Sequence, residues 1–262
     1  MIVNQEIDHG KAFDWGRTSG DYAKFRDIYP ETFYKKVVEK GLCIKGQKVL
    51  DLGTGTGVLP RNMYKYGADF TGADISPNQI NEARRLSDEA GMKIEYIVAS
   101  AEDVDFPDET FDVITAVQCF WYFNKAIVLP KFHRMLKEKG FLCILNMFWV
   151  PDECEIAYKS ENLVLKYNPA WTGAGYKRHS LEAPEWMGEC FACEINETFD
   201  LNVPFTRESW HGRMKACRGI GASSLSDEEI TAWEREHLEY MGTLPEVFEI
   251  IHSATMLGLM KK

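Results

Sequence analysis

No stretch of this chain is apolar for long enough to cross a membrane. A spanning helix needs about 18 consecutive apolar residues, and the longest candidate, Phe141 to Val150, is much shorter and contains Asn146. The first residues lack the basic and then apolar pattern of a signal peptide, and the sequence has no internal repeat. These absences predict a soluble, cytoplasmic protein with no membrane partner.

Positive charge is scarce as well. Thirty Lys and Arg stand against forty Asp and Glu, for a formal net charge of −10 and a pI near 5.2. A negative field of this size repels a phosphate backbone. We therefore expect no nucleic-acid partner.

The cysteines do not form the pairs that a disulfide framework or a zinc site would need. There are seven, an odd number, and most lie in apolar surroundings, such as Cys143 between Leu142 and Ile144. Cys190 and Cys193 have metal-ligand spacing, but no second pair follows. We predict packing cysteines in a reducing compartment and no metal site.

What the sequence does have is an alternation of strand-like and helix-like segments between residues 47 and 148. The hydrophobic share, 45%, is enough for one large core with an extra piece, or for two small domains. Alternating strands and helices predict a mostly parallel sheet covered on both faces, doubly wound by right-handed crossovers. The predicted strands are 48–52, 69–74, 94–99, 111–117 and 141–148, and the predicted helices include 58–66 and 77–90.

The most informative motif runs from Val49 to Gly57, where a predicted strand leads directly into a glycine loop and then a helix. Glycines permit close approach of the backbone to a ligand and dihedral angles that other residues avoid. Such a loop lies at the topological switch point of the sheet, where ligands bind. Asp74 ends the second strand, and its carboxylate can accept the hydroxyl hydrogens of a ribose. The pattern predicts a nucleoside-bearing cofactor.

The spacing of the glycines separates two cofactor classes. A dinucleotide fingerprint requires Gly or Ala where this chain has Val58. Gly53, Gly55 and Gly57, preceded by Asp51, instead resemble the S-adenosylmethionine (SAM) loop of class I, Rossmann-like methyltransferases. This resemblance implies SAM as cofactor, S-adenosylhomocysteine as product, and Asp51 near the cationic end of the cofactor. A nicotinamide cofactor, or a glycine turn with no ligand, is the alternative.

Further segments resemble that family in chain order over about residues 10 to 150. Asp74 to Gln79 is similar to its ribose-binding loop, Ser100 to Asp103 to its adenine-binding loop, and Gln118 falls at the tip of its fourth strand. The resemblance implies an enzyme with a seven-stranded sheet, an N-terminal helical cap and a C-terminal insertion or lid. The cofactor contacts that it implies are Tyr22, Arg26, Asp51, Gly53, Thr54, Gly55, Asp74, Ile75, Gln79, Ser100, Ala101, Glu102 and Gln118.

The flanking segments differ from the centre. We divide the chain into a cap region (1–40), a SAM-binding core (41–150), an insertion or lid without a clean hydrophobic period (151–190), and C-terminal strands and helices that complete the sheet and the substrate pocket (191–262). The predicted elements of the last segment are strand-like 191–203, a helix with Trp210, an acidic helix over 227–241 and a strand over 247–259.

The methyl acceptor is predicted mainly from motifs that are missing. The chain lacks the signatures of adenine, amide and pyrimidine-carbon methylation, and Trp121 stands where trans-aconitate methyltransferase-like proteins often have a histidine. The segments around Trp15, Trp121 and Arg207 resemble those small-molecule enzymes and the ubiquinone and menaquinone biosynthesis type. The substrate-binding candidates are Trp15, Trp121, Tyr122, Arg207 and Trp210.

An acceptor that arrives already nucleophilic needs no base. We therefore expect O-methylation of a small molecule, with a carboxylate favoured. Tyr22 and His179 are the candidate bases if the acceptor is instead an alcohol or phenol. A ring-carbon acceptor and a non-catalytic SAM-binding protein complete the alternatives. We expect a monomer or homodimer.

Overall fold

The computed structural model describes residues 3, 5, 7–25, 27–178, 185, 188 and 190–262, leaving out the side chains of residues 19, 21 and 22. Its regular elements alternate as the sequence predicts. The helices are α1 (Ser19–Phe25), α2 (Glu31–Glu39), α3 (Val58–Met63), α4 (Pro77–Glu89), α5 (Lys125–Met135), α6 (Glu155–Tyr167), α7 (Arg207–Lys215) and α8 (Asp227–Gly242). The strands are β1 (Lys48–Leu52), β2 (Asp69–Asp74), β3 (Glu95–Val98), β4 (Phe111–Val117), β5 (Leu136–Trp149), β6 (Phe191–Thr206) and β7 (Val247–Lys261).

The strands form one seven-stranded sheet in the order β3-β2-β1-β4-β5-β7-β6. The pairs β1–β2, β1–β4, β2–β3 and β4–β5 are parallel. β7 runs the other way, because Val150 at the end of β5 donates to Ile251 near the start of β7, and Lys261 at its end reaches the carbonyl of Leu136. The α/β, mostly parallel fold predicted from the sequence is confirmed.

The reversal in strand order lies between β1 and β4, which are neighbours in the sheet although β2 and β3 separate them in the chain. Asp51 pairs with Gly72 on one side and with Thr115 on the other. Loops that leave the carboxyl ends of β1 and β4 therefore diverge, and the crevice between them is the usual ligand site of such sheets.

The chain divides into two compact units. Unit 2 contains residues 29–147, 180–199 and 254–262, and unit 1 contains residues 1–28, 148–179 and 200–253. In unit 2, β1, β4 and α5 enclose a core that includes the fully buried Leu50, Ile114 and Phe132. In unit 1, Trp210 of α7 and Trp233 of α8 are fully buried. The segment boundaries predicted at 40, 150 and 190 remain a prediction.

The segment predicted as a lid contains a helix that the sequence does not predict. The sequence shows no clean period over 151–190, yet α6 occupies 13 of those residues. Its buried positions are Ala157, Ser160, Glu161 and Val164, which have helical spacing. Two of the four are polar and hydrogen-bonded in the interior, so the hydrophobic period that would reveal the helix is not visible in the sequence.

Candidate functional site

The glycine loop after β1 is held in shape by left-handed backbone angles and by side chains behind it. Gly53, Gly55 and Gly57 have φ of 61°, 56° and 74°, which disfavour any residue with a Cβ. A Cβ on Gly53 would lie 2.7 Å from the Cys119 sulfur, and one on Gly57 would lie 2.3 Å from the Tyr96 hydroxyl. Backbone angle and packing therefore both require glycine at these two positions.

Asp51 lies beneath this loop and is almost fully buried, with 2% of its surface exposed. Its carboxylate accepts a hydrogen bond of 2.7 Å from the Thr115 hydroxyl on β4. Burial raises the pKa of Asp51 to about 7, and the hydrogen bonds that it accepts only partly oppose this. A carboxylate in this position gains from a cation placed next to it.

Asp74 closes β2 and ties the loop to the next helix. One carboxylate oxygen accepts from the Gly55 amide at 2.9 Å, and the other accepts from the Ser76 amide at 2.8 Å. Burial raises the pKa of Asp74, while these two amides oppose the shift. Each carboxylate oxygen has a second lone pair, so the group can still accept two hydrogen bonds from a ligand.

An exposed apolar surface adjoins Asp74. Val98 is its register partner on β3, and Ile75 follows it in the chain. Ile75 is 57% exposed and Val98 is 47% exposed, which is unusual for large apolar side chains at the end of a buried sheet. A flat heterocycle joined to a ribose at Asp74 would cover this surface.

The predicted adenine loop is a tight turn. The Ser100 hydroxyl donates to the Asp103 carboxylate at 2.7 Å, and the Asp103 amide donates back at 3.1 Å. Ala101 is buried, and the Glu102 carboxylate accepts from the Asn124 amide at 2.7 Å. This last bond joins the turn after β3 to the segment after β4.

The side chain of Gln118, which the sequence predicts as a cofactor contact, hydrogen-bonds within the protein. Its φ is 60°, a left-handed angle that is uncommon outside glycine. Its amide donates to Leu145 at 2.9 Å, and its carboxamide donates to the Met147 carbonyl. These bonds direct Cys119 toward Gly53, where its thiol donates to the Leu52 carbonyl at 3.1 Å.

Two further predicted contacts, Thr54 and Gln79, lie in the interior. The Thr54 amide donates to Ala73 at 3.0 Å, which holds the loop against β2. Gln79, in the first turn of α4, is buried. The cofactor roles of both residues remain predictions.

The residues that the sequence proposes for substrate contact occupy different environments. In unit 2, Trp121 and Tyr122 follow β4 with ring centroids 5.5 Å apart, and Trp121 is 37% exposed. In unit 1, Trp15 packs edge-on against Phe13 and the Arg207 guanidinium donates to the Leu244 carbonyl. Trp210 is fully buried and donates to the Ser160 hydroxyl at 2.9 Å, so it could touch a ligand only from inside unit 1. Their roles remain predictions.

Three predicted residues cannot be placed. Arg26 and His179 lie outside the described residues, and the side chain of Tyr22 is outside them too. Within the described part of the chain, no group of three or more His, Cys, Asp and Glu could hold a metal ion. No described helix combines the length and apolar character needed to cross a membrane.

Sequence reasoning missed the residues that support the loop from behind. Tyr96 packs under Gly57 and Gly72 and shares a hydrogen bond of 3.0 Å with Ser87, and no motif marks it. No motif marks Cys119 either, although its side chain packs against Gly53.

Comparison with known proteins agrees with this geometry. Residues 50–144 match the sequence family described as a methyltransferase domain. The ubiquinone biosynthesis O-methyltransferase of Aliivibrio fischeri strain MJ11 is 34% identical over 136 residues, covering 50% of this chain and 58% of that protein. The protein of the same name from Photobacterium profundum is 30% identical over 136 residues, covering 50% and 57%. The match thus spans little more than half the length of these relatives.

Comparison with a solved structure shows that the similarity of fold extends over most of the chain. The crystal structure of YjhP from E. coli has a TM-score of 0.55 to this chain at 19% identity, covering 95% of this chain and all of the other. The glycine loop, the sheet order and the sequence match agree with one another, and together they indicate a methyltransferase domain over residues 50–144 in a Rossmann-like fold.

Proposed function

We propose that this protein binds SAM at the loop formed by residues 53–57 and transfers the methyl group to an oxygen atom of a small molecule. The observation that carries the proposal is the placement of two carboxylates, Asp51 and Asp74, below and beside a left-handed glycine loop at the switch point of the sheet. The names of the curated relatives, which are O-methyltransferases, support an oxygen acceptor.

The described residues suit the chemical parts of SAM. Asp74 would accept both ribose hydroxyls, and the exposed Ile75 and Val98 would cover one face of the adenine. Asp51 would lie opposite the cationic amino group of SAM, and that positive charge would keep the Asp51 carboxylate ionised. Bound SAM supplies a methyl group on a sulfonium, whose positive charge is cancelled by transfer. The protein therefore acts mainly by aligning the acceptor and excluding water.

The acceptor can be a carboxylate or a hydroxyl compound. The sequence favours a carboxylate because no base lies beside the tip of β4.

Isothermal titration with S-adenosylhomocysteine tests the cofactor site. Asp74→Ala removes hydrogen bonds from a charged group, each worth about 1.5–3 kcal/mol, so we expect about tenfold to hundredfold weaker binding. Asp69→Ala is the matched control, because Asp69 is exposed at the opposite end of the same strand and should bind as the wild type does. Urea unfolding of both variants checks that they fold.

Two outcomes would count against the proposal. Binding weaker than millimolar, or binding that Asp74→Ala leaves unchanged, would exclude the cofactor site. Tight binding with no labelled methyl transferred from SAM to any carboxylic acid, phenol or alcohol in a metabolite library would indicate a SAM-binding protein without transfer activity.

A further inference from the structure

Tyr96 lies on β3, and its neighbour on the next strand is a glycine. Its register partner on β2 is Gly72, which pairs on its other side with Asp51 of β1. A Cβ on Gly72 would lie 2.8 Å from two carbons of the Tyr96 ring. The ring therefore occupies the space that a side chain at position 72 would fill, and Tyr96 is buried there. All of these residues belong to unit 2.

The Tyr96 hydroxyl reaches the end of the glycine loop. A Cβ on Gly57 would overlap the hydroxyl oxygen, so this oxygen packs directly against the Gly57 backbone. Gly57 has left-handed angles, with φ 74° and ψ 31°, and is the N-cap of α3. Its amide closes the turn by donating to the Thr54 carbonyl at 2.9 Å. A contact at Gly57 therefore affects the shape of the whole turn.

Helix α4 holds the Tyr96 ring in this position. Tyr96 shares a buried cluster with Ile80 and Ala83 of that helix, and its carbonyl accepts from the Arg84 guanidinium at 2.7 Å. The oxygen of the Ser87 hydroxyl, also buried, lies 3.0 Å from that of the Tyr96 hydroxyl. Since closely packed interiors leave a side chain little room to move, the ring carries its hydroxyl to one place beneath the loop.

The Tyr96 hydroxyl acts on the loop as an uncharged group. Burial raises the pKa of Tyr96 to about 12, although the bond to Ser87 opposes this shift. The phenol therefore keeps its proton at neutral pH and brings no negative charge to the loop. Its effect on Gly57 is steric, through direct contact of the oxygen with the backbone.

We propose that Tyr96 is a positioning residue of the cofactor loop, and that its hydroxyl supports Gly57 and so sets the shape in which residues 53–57 bind the cofactor. This inference rests on the function proposed above, because it assigns part of the affinity for SAM to a residue behind the loop. Asp74 holds the loop at Gly55, and Tyr96 supports it at Gly57. Binding groups are precise only when the residues around them are packed in place.

Two variants that break the same hydrogen bond separate contact with the loop from a general loss of stability. Tyr96→Phe keeps the ring and removes the hydroxyl beneath Gly57, whereas Ser87→Ala leaves that hydroxyl in place because the ring is still packed against Gly72. Each variant leaves one buried hydroxyl without its partner, so urea unfolding should show similar losses of stability. Titration calorimetry with S-adenosylhomocysteine should show about threefold to tenfold weaker binding for Tyr96→Phe, and binding within about twofold of the wild type for Ser87→Ala.

A double-mutant cycle tests the contact itself. Gly57→Ala places a methyl group where the Tyr96 hydroxyl lies, and it also strains the left-handed backbone. Tyr96→Phe removes the overlap with the oxygen but not the strain, so the factor by which Gly57→Ala weakens binding should be at least about threefold smaller in the Tyr96→Phe background. Equal factors in both backgrounds, or an equal loss of binding in Tyr96→Phe and Ser87→Ala, would overturn the proposal.

The wild-type titration separates this inference from the function on which it rests. If the folded wild type does not bind S-adenosylhomocysteine, the proposed function fails and this inference fails with it. If the wild type binds and Tyr96→Phe binds equally well, only the positioning role of Tyr96 is wrong, and the proposed cofactor site is unaffected.

Discussion

At the scale of single residues, Asp51 shows how the fold sets the chemistry of a side chain. Strand β1 lies between β2 and β4 and places the Asp51 carboxylate in the interior, where water cannot solvate the charge. Its pKa is raised to about 7, against an ordinary value of 3.8. The native protein therefore takes up a proton between these two values that the unfolded chain does not, and its stability decreases as pH rises through that window.

Replacing Asp51 by Asn removes this titration while keeping the shape of the side chain. We expect the free energy of unfolding of Asp51→Asn to rise relative to the wild type from pH 4 to pH 7, by up to about 1.4 kcal/mol per pH unit, and then to level off. Binding of S-adenosylhomocysteine at pH 7 should weaken at the same time. Urea unfolding at a series of pH values measures the difference, and a difference that does not change with pH would show that Asp51 is ionised throughout.

At the scale of elements, α7 depends on a glycine for its close contact with α1. A Cβ added to Gly212 would lie 2.3 Å from the Phe25 ring, far inside van der Waals contact. Alanine is the better helix former by about 1 kcal/mol, but forcing extra volume into a packed contact costs about 1–3 kcal/mol. The packing cost is the larger of the two.

We therefore expect Gly212→Ala to lower the free energy of unfolding of unit 1 by up to about 2 kcal/mol. Gly242→Ala is the matched control, since Gly242 ends α8 and a Cβ there would meet nothing within 4 Å. That variant should be neutral or slightly more stable. Urea unfolding of both variants measures these differences. A Gly212→Ala variant more stable than the wild type would show that α1 moves away from α7 at no cost.

At the scale of the whole molecule, buried histidines make the acid side of the stability curve steep. His237 Nε2 lies 3.1 Å from the Ser160 hydroxyl, and its Nδ1 lies 2.9 Å from Nδ1 of His211. The Trp233 ring stacks on the imidazole with centroids 4.8 Å apart. Burial, followed by the nearby His211, lowers the pKa of His237 to about 3. Below its ordinary pKa of 6.5 the unfolded chain binds a proton that the native protein does not, so stability is lost as pH falls from 6.5 toward 3.

His237→Gln removes the titrating imidazole, and with it this loss of stability at low pH, but it also removes the contacts that the imidazole makes. The variant should be less stable than the wild type at pH 7, and the difference should shrink by about 2 kcal/mol by pH 5. Tryptophan fluorescence during urea unfolding follows the unit concerned, because Trp149, Trp210 and Trp233 are all buried in unit 1. A difference that stays constant, or grows, as the pH falls would show that His237 is protonated in the native protein.

The order of the elements and the cofactor loop follow from the sequence because local signals specify them. Apolar runs ended by glycine locate β1, and β2 and β4 lie at the residues predicted. Pro77 at the start of α4 marks a first helical turn. The positions of Gly53, Gly55 and Gly57 predict the shape of this loop, because the left-handed angles found there leave few residue types possible.

The interior of unit 1 was decided by tertiary structure alone. Ser160 and Glu161 hide the period of α6, since polar residues are stable on its buried face only when Trp210, Trp149 and His237 supply partners from distant parts of the chain. The pKa of His252 likewise depends on tertiary structure, because burial and the nearby Arg213 lower it to about 4. Sequence patterns report what neighbours along the chain require, whereas pKa values and hydrogen-bond partners depend on which residues folding brings together.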